Sequence, residues 1–278
     1  MQLKLNKSIF VPVFLQVKEF ELKTKIQLYL RYFIELSYNG KNYHGWQIQP
    51  NAISVQEVLE KALSTILRNK TGVVGAGRTD AGVHASQIFA HFDCSIVLDE
   101  IELVYKLNSI LPKSIAVQRV FRVTDDAHAR FHATKRSYKY KIITHKDPFL
   151  HEYTHLIKQP LAVDKMNQAA KILLDYTNFK CFSKVKTEVS TFNCDVTFAE
   201  WSDENGQLVF NISADRFLRN MVRAIVGTLL YVGLGKLEVN AIHDIIKSED
   251  RGEAGVSVPA QGLYLTEVCY PDTIVYDS

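Results

Sequence analysis

The sequence predicts an α+β fold in two lobes of similar size, and three observations lead there. Period-two strand segments interleave with helical ones along both halves of the 278-residue chain. Two of the strands are joined by a turn at Glu204-Asn205-Gly206, short enough to force an antiparallel pair. An apolar fraction of 47% can fill sizeable cores at this length. The division falls between residues 130 and 145, giving lobes at 29 to 135 and 136 to 278 behind an N-terminal extension, 1 to 28, of unassigned role.

That extension, beginning MQLKLNKSIFVPVFLQVKEF, has a lysine-bearing start and an apolar run from Ile9 to Leu15. Pro12 interrupts the run, and no small-residue cleavage site follows, so a secretory signal is not expected. No other segment approaches the length of a membrane span, and a cytoplasmic location is the expectation. In RYFIELSY, Tyr32, Ile34, Leu36 and Tyr38 alternate as in a strand. NGKNYHGWQ reads as a loop. Ser54 followed by Glu57 is a capping box, and Val55, Val58, Leu59, Ala62, Leu63, Ile66 and Leu67 supply one helical face behind it. Strands at 72 to 75 and 87 to 93 flank a glycine-rich loop. Asp99 and Glu102 open a second helix that ends before Leu111-Pro112, and AVQRVFRV closes the first half as a strand. The second half reads RSYKYKII as strand, Asp164 to Leu174 as helix, and DVTFAEW and QLVFNISA as strands. A long helix from about Asp215, a shorter one after Asn240 and a final strand GLYLTEVCY complete it.

Lys plus Arg total 33 against 30 for Asp plus Glu, so any surface that attracts nucleic acid must be local. Cys94, Cys181, Cys194 and Cys269 lie far apart with no C-x-x-C pair, which points to buried reduced thiols and argues against structural zinc or a disulfide scaffold.

Three stretches can carry chemistry. In TGVVGAGRTDAGVHASQI, residues 71 to 88, Gly75, Gly77 and Gly82 surround Arg78, Thr79 and Asp80. The string lacks the Gly-Lys-Ser/Thr of a phosphate loop, and Asp80 stands where a dinucleotide fingerprint needs its third glycine. Read alone, Asp80 is more readily a turn former than a catalyst, and His84 is taken as structural. In ARFHATKRSYKYKIITHK, residues 129 to 146, Arg130, Lys135, Arg136, Lys139, Lys141 and Lys146 interleave with Tyr138 and Tyr140 without one acidic residue. Such a mixture neutralises phosphates while bases stack on rings. In SADRFLRNMVRAIVGTLL, a helix would put Leu218, Val222, Ile225 and Leu229 on one stripe and Arg216, Arg219 and Arg223 within roughly 60° on another.

Together these strings resemble the tRNA pseudouridine synthase A family. The matching segments run in order over residues 31 to 270: SYNGKNYHGWQIQPNAISVQEVLEKAL, VVGAGRTDAGVHASQIFAHFD, LNSILP, ARFHATKRSYKY, FLRNMVRAIVGTLLYVGLG and SEDRGEAGVSVPAQGLYLTEV. The resemblance implies two ferredoxin-like, RRM-like lobes joined in one mostly antiparallel sheet around a central basic cleft. It implies a homodimer with no cofactor or metal, and isomerisation of uridine at positions 38, 39 and 40 of the anticodon stem-loop of tRNA. Asp80 matches the catalytic aspartate, Arg223 the basic residue that pairs with it, and Tyr138 the tyrosine that contacts the target base. Arg78 matches an arginine that extrudes or holds the nucleotide, and Leu263 an apolar contact against the base. Arg136, Arg216 and Arg219 are expected to contact tRNA phosphates. Attack at C1′, addition at C6 and abstraction at C2′ all fit the same residues. Two other readings use this sequence differently: a tRNA-binding chaperone without chemistry, and a hydrolase built on Asp80 with His84.

Overall fold

The computed structural model describes residues 29–185 and 189–276, so the extension read at 1 to 28 lies outside the described residues. Alternating apolar side chains make β1 (Leu30–Tyr38), an interior strand flanked on both sides by antiparallel partners, β3 (His84–Cys94) and β4 (Ile115–Arg122). A two-residue strand, β2 (Val74–Gly75), pairs with β3, so the strand expected at 72 to 75 shrinks to its last two residues. The second half contributes β5 (Lys135–Ile143), β6 (His155–Leu156), β7 (Val196–Glu204), β8 (Gln207–Ala214) and β9 (Leu263–Cys269). All nine join one sheet in the order β4-β1-β3-β9-β5-β8-β7, with β2 added beside β3 and β6 beside β5. Every pairing is antiparallel except β3 with β9 and β5 with β6. The fold is therefore α+β with a mixed, open, mostly antiparallel sheet.

The helices follow the expected signals closely where a cap is written in the sequence. In α1 (Val55–Leu67) the Ser54 hydroxyl accepts from the Glu57 N–H at 3.2 Å, and Val55, Leu59, Ala62 and Leu63 are buried. In α2 (Glu100–Ile110) the Asp99 carboxylate accepts from the Glu102 N–H at 2.9 Å, while Leu103 and Leu107 face inward. The second half carries α3 (Val163–Ile172), α4 (Met221–Gly233) and α5 (Ala241–Ser248). No helix among the described residues is long and apolar enough to cross a membrane.

Two apolar cores form. One gathers β1, β3, β4, α1 and α2 around Tyr32, Phe33 and Phe92, each of which contributes about 1.5 to 3 kcal/mol by burial. The other gathers β5, β7, β8, α3, α4 and α5 around Phe179, Phe210 and Ile225. Strand β9 serves both, with Leu263 in the second core and Leu265 and Val268 in the first. Its parallel ladder with β3 spans only His84↔Tyr264 and Ala85↔Leu265, after which the Gln87 side chain takes over by accepting from the Val268 N–H at 2.9 Å.

Two expectations need correction. The long helix does not start near Asp215; it starts at Met221. The Asp215 carboxylate accepts from the Asp195 and Arg216 N–H groups, both at 2.7 Å, and Asn220 sits at φ 68, a left-handed backbone through which a right-handed helix cannot propagate. Arg216 and Arg219 are consequently in the loop before α4 and share no helical face with Arg223. The second correction concerns Tyr140, which is fully buried and donates its hydroxyl to the Pro259 carbonyl at 2.9 Å. It belongs to the core and offers no ring to a nucleotide.

Candidate active site

The glycine-rich loop joins β2 to β3 at the seam between the two cores. Its conformation is dictated by close neighbours. A Cβ on Gly75 would lie 2.4 Å from the Trp46 indole, and one on Gly45, at φ +86, would lie 2.1 Å from the Thr79 carbonyl oxygen. Backbone bonds from Ala76 N to Phe89 O at 2.7 Å and from Gly82 N to Tyr43 O at 3.2 Å fix the two ends. The Thr79 hydroxyl is bonded to the Tyr38 hydroxyl at 2.8 Å. Asp80 follows, half-buried on a loop held at both ends.

Facing it is Arg223, in the first turn of α4. Its Nη1 donates to Asp80 Oδ2 at 3.1 Å, with the two side chains 21% and 24% exposed. Its Nε donates to the Val258 carbonyl at 2.7 Å, and the Val258 N–H returns a bond to the Arg223 carbonyl at 3.2 Å. The segment carrying Val258 rides directly on α4, because a Cβ on Gly227 would lie 1.8 Å from the Val256 carbonyl oxygen. No motif or spacing signals this support, although the glycine in α4 is its trace.

Tyr138 on β5 is half-buried and meets Phe217 edge-on, with ring centroids 5.1 Å apart. Burial pushes its phenol up to about 12; the Arg136 charge acts in the opposite sense and the Asp80 charge in the same one. Its hydroxyl makes no hydrogen bond among the described residues. In register, Tyr138 lies opposite Leu265 on β9, and Leu263, buried in the second core, lies opposite Tyr140.

The arginines divide. Arg78 is exposed, two residues from Asp80, and forms no hydrogen bond or ion pair among the described residues. Arg216 is half-buried and Arg219 exposed in the loop before α4. Arg136 is different, for all four of its Nη hydrogens meet backbone carbonyls: Ala133 at 2.9 Å and Asp215 at 2.7 Å from Nη1, Ala76 at 3.1 Å and Arg130 at 2.6 Å from Nη2. It ties three loops together, a role invisible in sequence because every partner is a main-chain atom.

His84 is buried, accepts from the Gly40 N–H at 3.1 Å and stacks on Tyr264 at 4.6 Å. The hydrogen-bond partner of Asp80 is Arg223 rather than His84, which removes the basis of a hydrolase reading. Cys94, Cys181 and Cys194 are buried free thiols and Cys269 a half-buried one. Among the described residues no group of three or more His, Cys, Asp or Glu side chains is arranged to hold a metal ion.

A family described as tRNA pseudouridine synthase matches residues 169–271, a stretch that includes Arg223 and Leu263. A tRNA pseudouridine synthase A of Bacteroides thetaiotaomicron is 54% identical over 247 residues, 88% of this chain and 92% of its own. One of Bacteroides fragilis is 55% identical over 246 residues, covering 88% and 98%. One of Bacillus licheniformis is 39% identical over 239 residues, covering 84% and 97%. On this similarity, which runs over most of its length, the chain belongs to the tRNA pseudouridine synthase A family, whose members are isomerases.

Proposed function

We propose that this chain converts uridine to pseudouridine at positions 38, 39 and 40 of the anticodon stem-loop of tRNA, acting as a cytoplasmic homodimer. The observation that carries the reading is the Asp80–Arg223 pair, contributed by the two halves of the chain and left partly open beside Tyr138. Isomerisation breaks the N1 to C1′ bond, turns the freed uracil and joins C5 to C1′. It involves no redox step and no net hydrolysis, so one well-aimed carboxylate suffices as nucleophile or base.

Asp80 is the carboxylate that acts on the target nucleoside, and Arg223, anchored through Val258, sets its direction. Tyr138 stays a neutral phenol at working pH, stacks against the uracil and keeps its hydroxyl free for proton relay. Leu263 gives the pocket its apolar floor. A stem nucleotide must first leave its stack, at about a few kcal/mol. Arg78, exposed and unpaired next to Asp80, holds the displaced nucleotide, while Arg216 and Arg219 meet phosphates.

The chain divides into lobes at 29 to 135 and 136 to 278, each ferredoxin-like. In support, the first half runs β-α-β-β-α-β and the second repeats that order with the short β6 added after β5 and a second helix, α5, before β9, and the strand orders β4-β1-β3-β2 and β9-β5-β8-β7 match. The cleft between them is the basic groove for the stem-loop.

The test uses tRNA carrying tritium at uridine C5. Release of tritium as water with the strand intact is the expected result. Binding without release would favour a chaperone of the same fold and overturn the enzyme reading.

A further inference from the structure

Phe131 is 71% exposed, yet it sits in a heavily braced loop. The Arg130 and Phe131 N–H groups both donate to His128 Nδ1, at 3.1 and 3.3 Å. The Ala129 N–H donates to the buried His91 Nδ1 at 3.1 Å, and the Ala129 carbonyl accepts from the Tyr270 hydroxyl at 2.6 Å. The Phe131 ring lies on the His128 ring with centroids 4.3 Å apart, and the Arg130 guanidinium sits 5.5 Å from its centre. An aromatic ring held rigidly in water gives up little entropy when something stacks on it.

The loop is also pinned to the site. One nitrogen of Arg136 bonds both the Arg130 carbonyl and the Ala76 carbonyl, which opens the loop of Asp80. Its other terminal nitrogen bonds the Asp215 carbonyl, next to Arg216. A cation beside a rigid exposed ring, adjacent to a second basic loop, fits an unstacked nucleotide: the base on the ring, the phosphate on the guanidinium.

We propose that Phe131 is a stacking platform for a base of the RNA substrate next to the target uridine, with Arg130 on the neighbouring phosphate and Arg136 fixing both relative to Asp80. This rests on the tRNA reading above, and its test separates the two. In wild-type protein, tritium release establishes the function on its own. With Phe131→Ala, the tRNA Kd rises about tenfold, as for one lost base–aromatic stack, while the single-turnover rate at saturating tRNA holds. The dependence of Kd on salt stays the same because no charge is lost, whereas Arg130→Ala lowers that slope by about one. Phe131→Tyr restores affinity; Phe131→Leu, which still covers His128, does not. Because Trp46 and Trp201 are buried, Phe131→Trp adds one exposed indole, and tRNA quenches it. Wild-type affinity in Phe131→Leu, or an indole at this position blind to bound tRNA, overturns the stacking role while leaving the enzyme reading intact.

Discussion

Asp80 and Arg223 are 143 residues apart in the chain and meet through one bond. Asp80→Asn preserves shape and removes the carboxylate, so the single-turnover rate should fall by at least about a thousandfold while a gel shift still detects tRNA binding. Its effect on stability should stay within about 1 kcal/mol, because a partly exposed ion pair contributes little. Binding lost together with activity would contradict this division of labour. A second residue-level prediction concerns acid. His91 accepts the Ala129 N–H and is held neutral: burial lowers its pKa to about 4, the Arg31 and His128 charges push the same way, and Asp93 opposes them. Because the folded value lies below the unfolded one near 6.5, the stabilisation is present above about pH 6.5 and is lost as pH falls towards 4. His84 and His155, also lowered by burial, add to the same trend. Melting temperature should therefore drop across that window, and His91→Asn, which keeps an acceptor but cannot titrate, should flatten the slope. At this scale the sequence separated Asp80 and its loop from the phosphate-loop alternatives by spacing. It misjudged Tyr140, because strand alternation reports which face a side chain takes and not how deep that face lies, and it passed over Phe131, whose loop before β5 is braced by contacts with His91 and Tyr270 that are remote in sequence.

At the scale of elements, helix starts written as side-chain caps were legible and the one set by a tertiary contact was not. Ser54 and Asp99 bond their own helices, so α1 and α2 begin where the sequence says. Asp215 resembles the same signal, yet its carboxylate is taken by Asp195 on a neighbouring segment, and α4 begins six residues later. The loop carrying Asp80 depends equally on a partner remote in sequence. Gly45→Ala would force a side chain onto the Thr79 carbonyl from a left-handed backbone, so it should cost about 2 kcal/mol or more. The displaced loop should lower the rate of tritium release more than tRNA affinity. A Gly45→Ala enzyme with wild-type rate and melting temperature would show that the loop has slack.

Across the whole molecule, β9 couples the two cores, since Leu263 packs in one and Leu265 and Val268 in the other. Unfolding should accordingly be a single transition despite the two cores. Trp46 lies in the first core and Trp201 in the second, so Trp201→Phe and Trp46→Phe provide a separate fluorescence report from each. Coincident midpoints, after allowing for the stability each substitution removes, are expected; two separated transitions would mean that the shared strand does not couple the halves. By itself the sequence determined the alternation of strands and helices, the capped helix starts, the antiparallel β7–β8 hairpin and the identity of Asp80 and Arg223 as candidates, since each is encoded by residues close together or by one specific string. Only the tertiary structure decided that Arg223 is anchored through the Val258 backbone, that Arg136 binds loops instead of leaving its terminal nitrogens for phosphates, and that the last strand lies in the middle of the sheet. Those outcomes depend on contacts between residues far apart in the chain, many of them through backbone atoms that every residue type shares and no spacing rule can reveal.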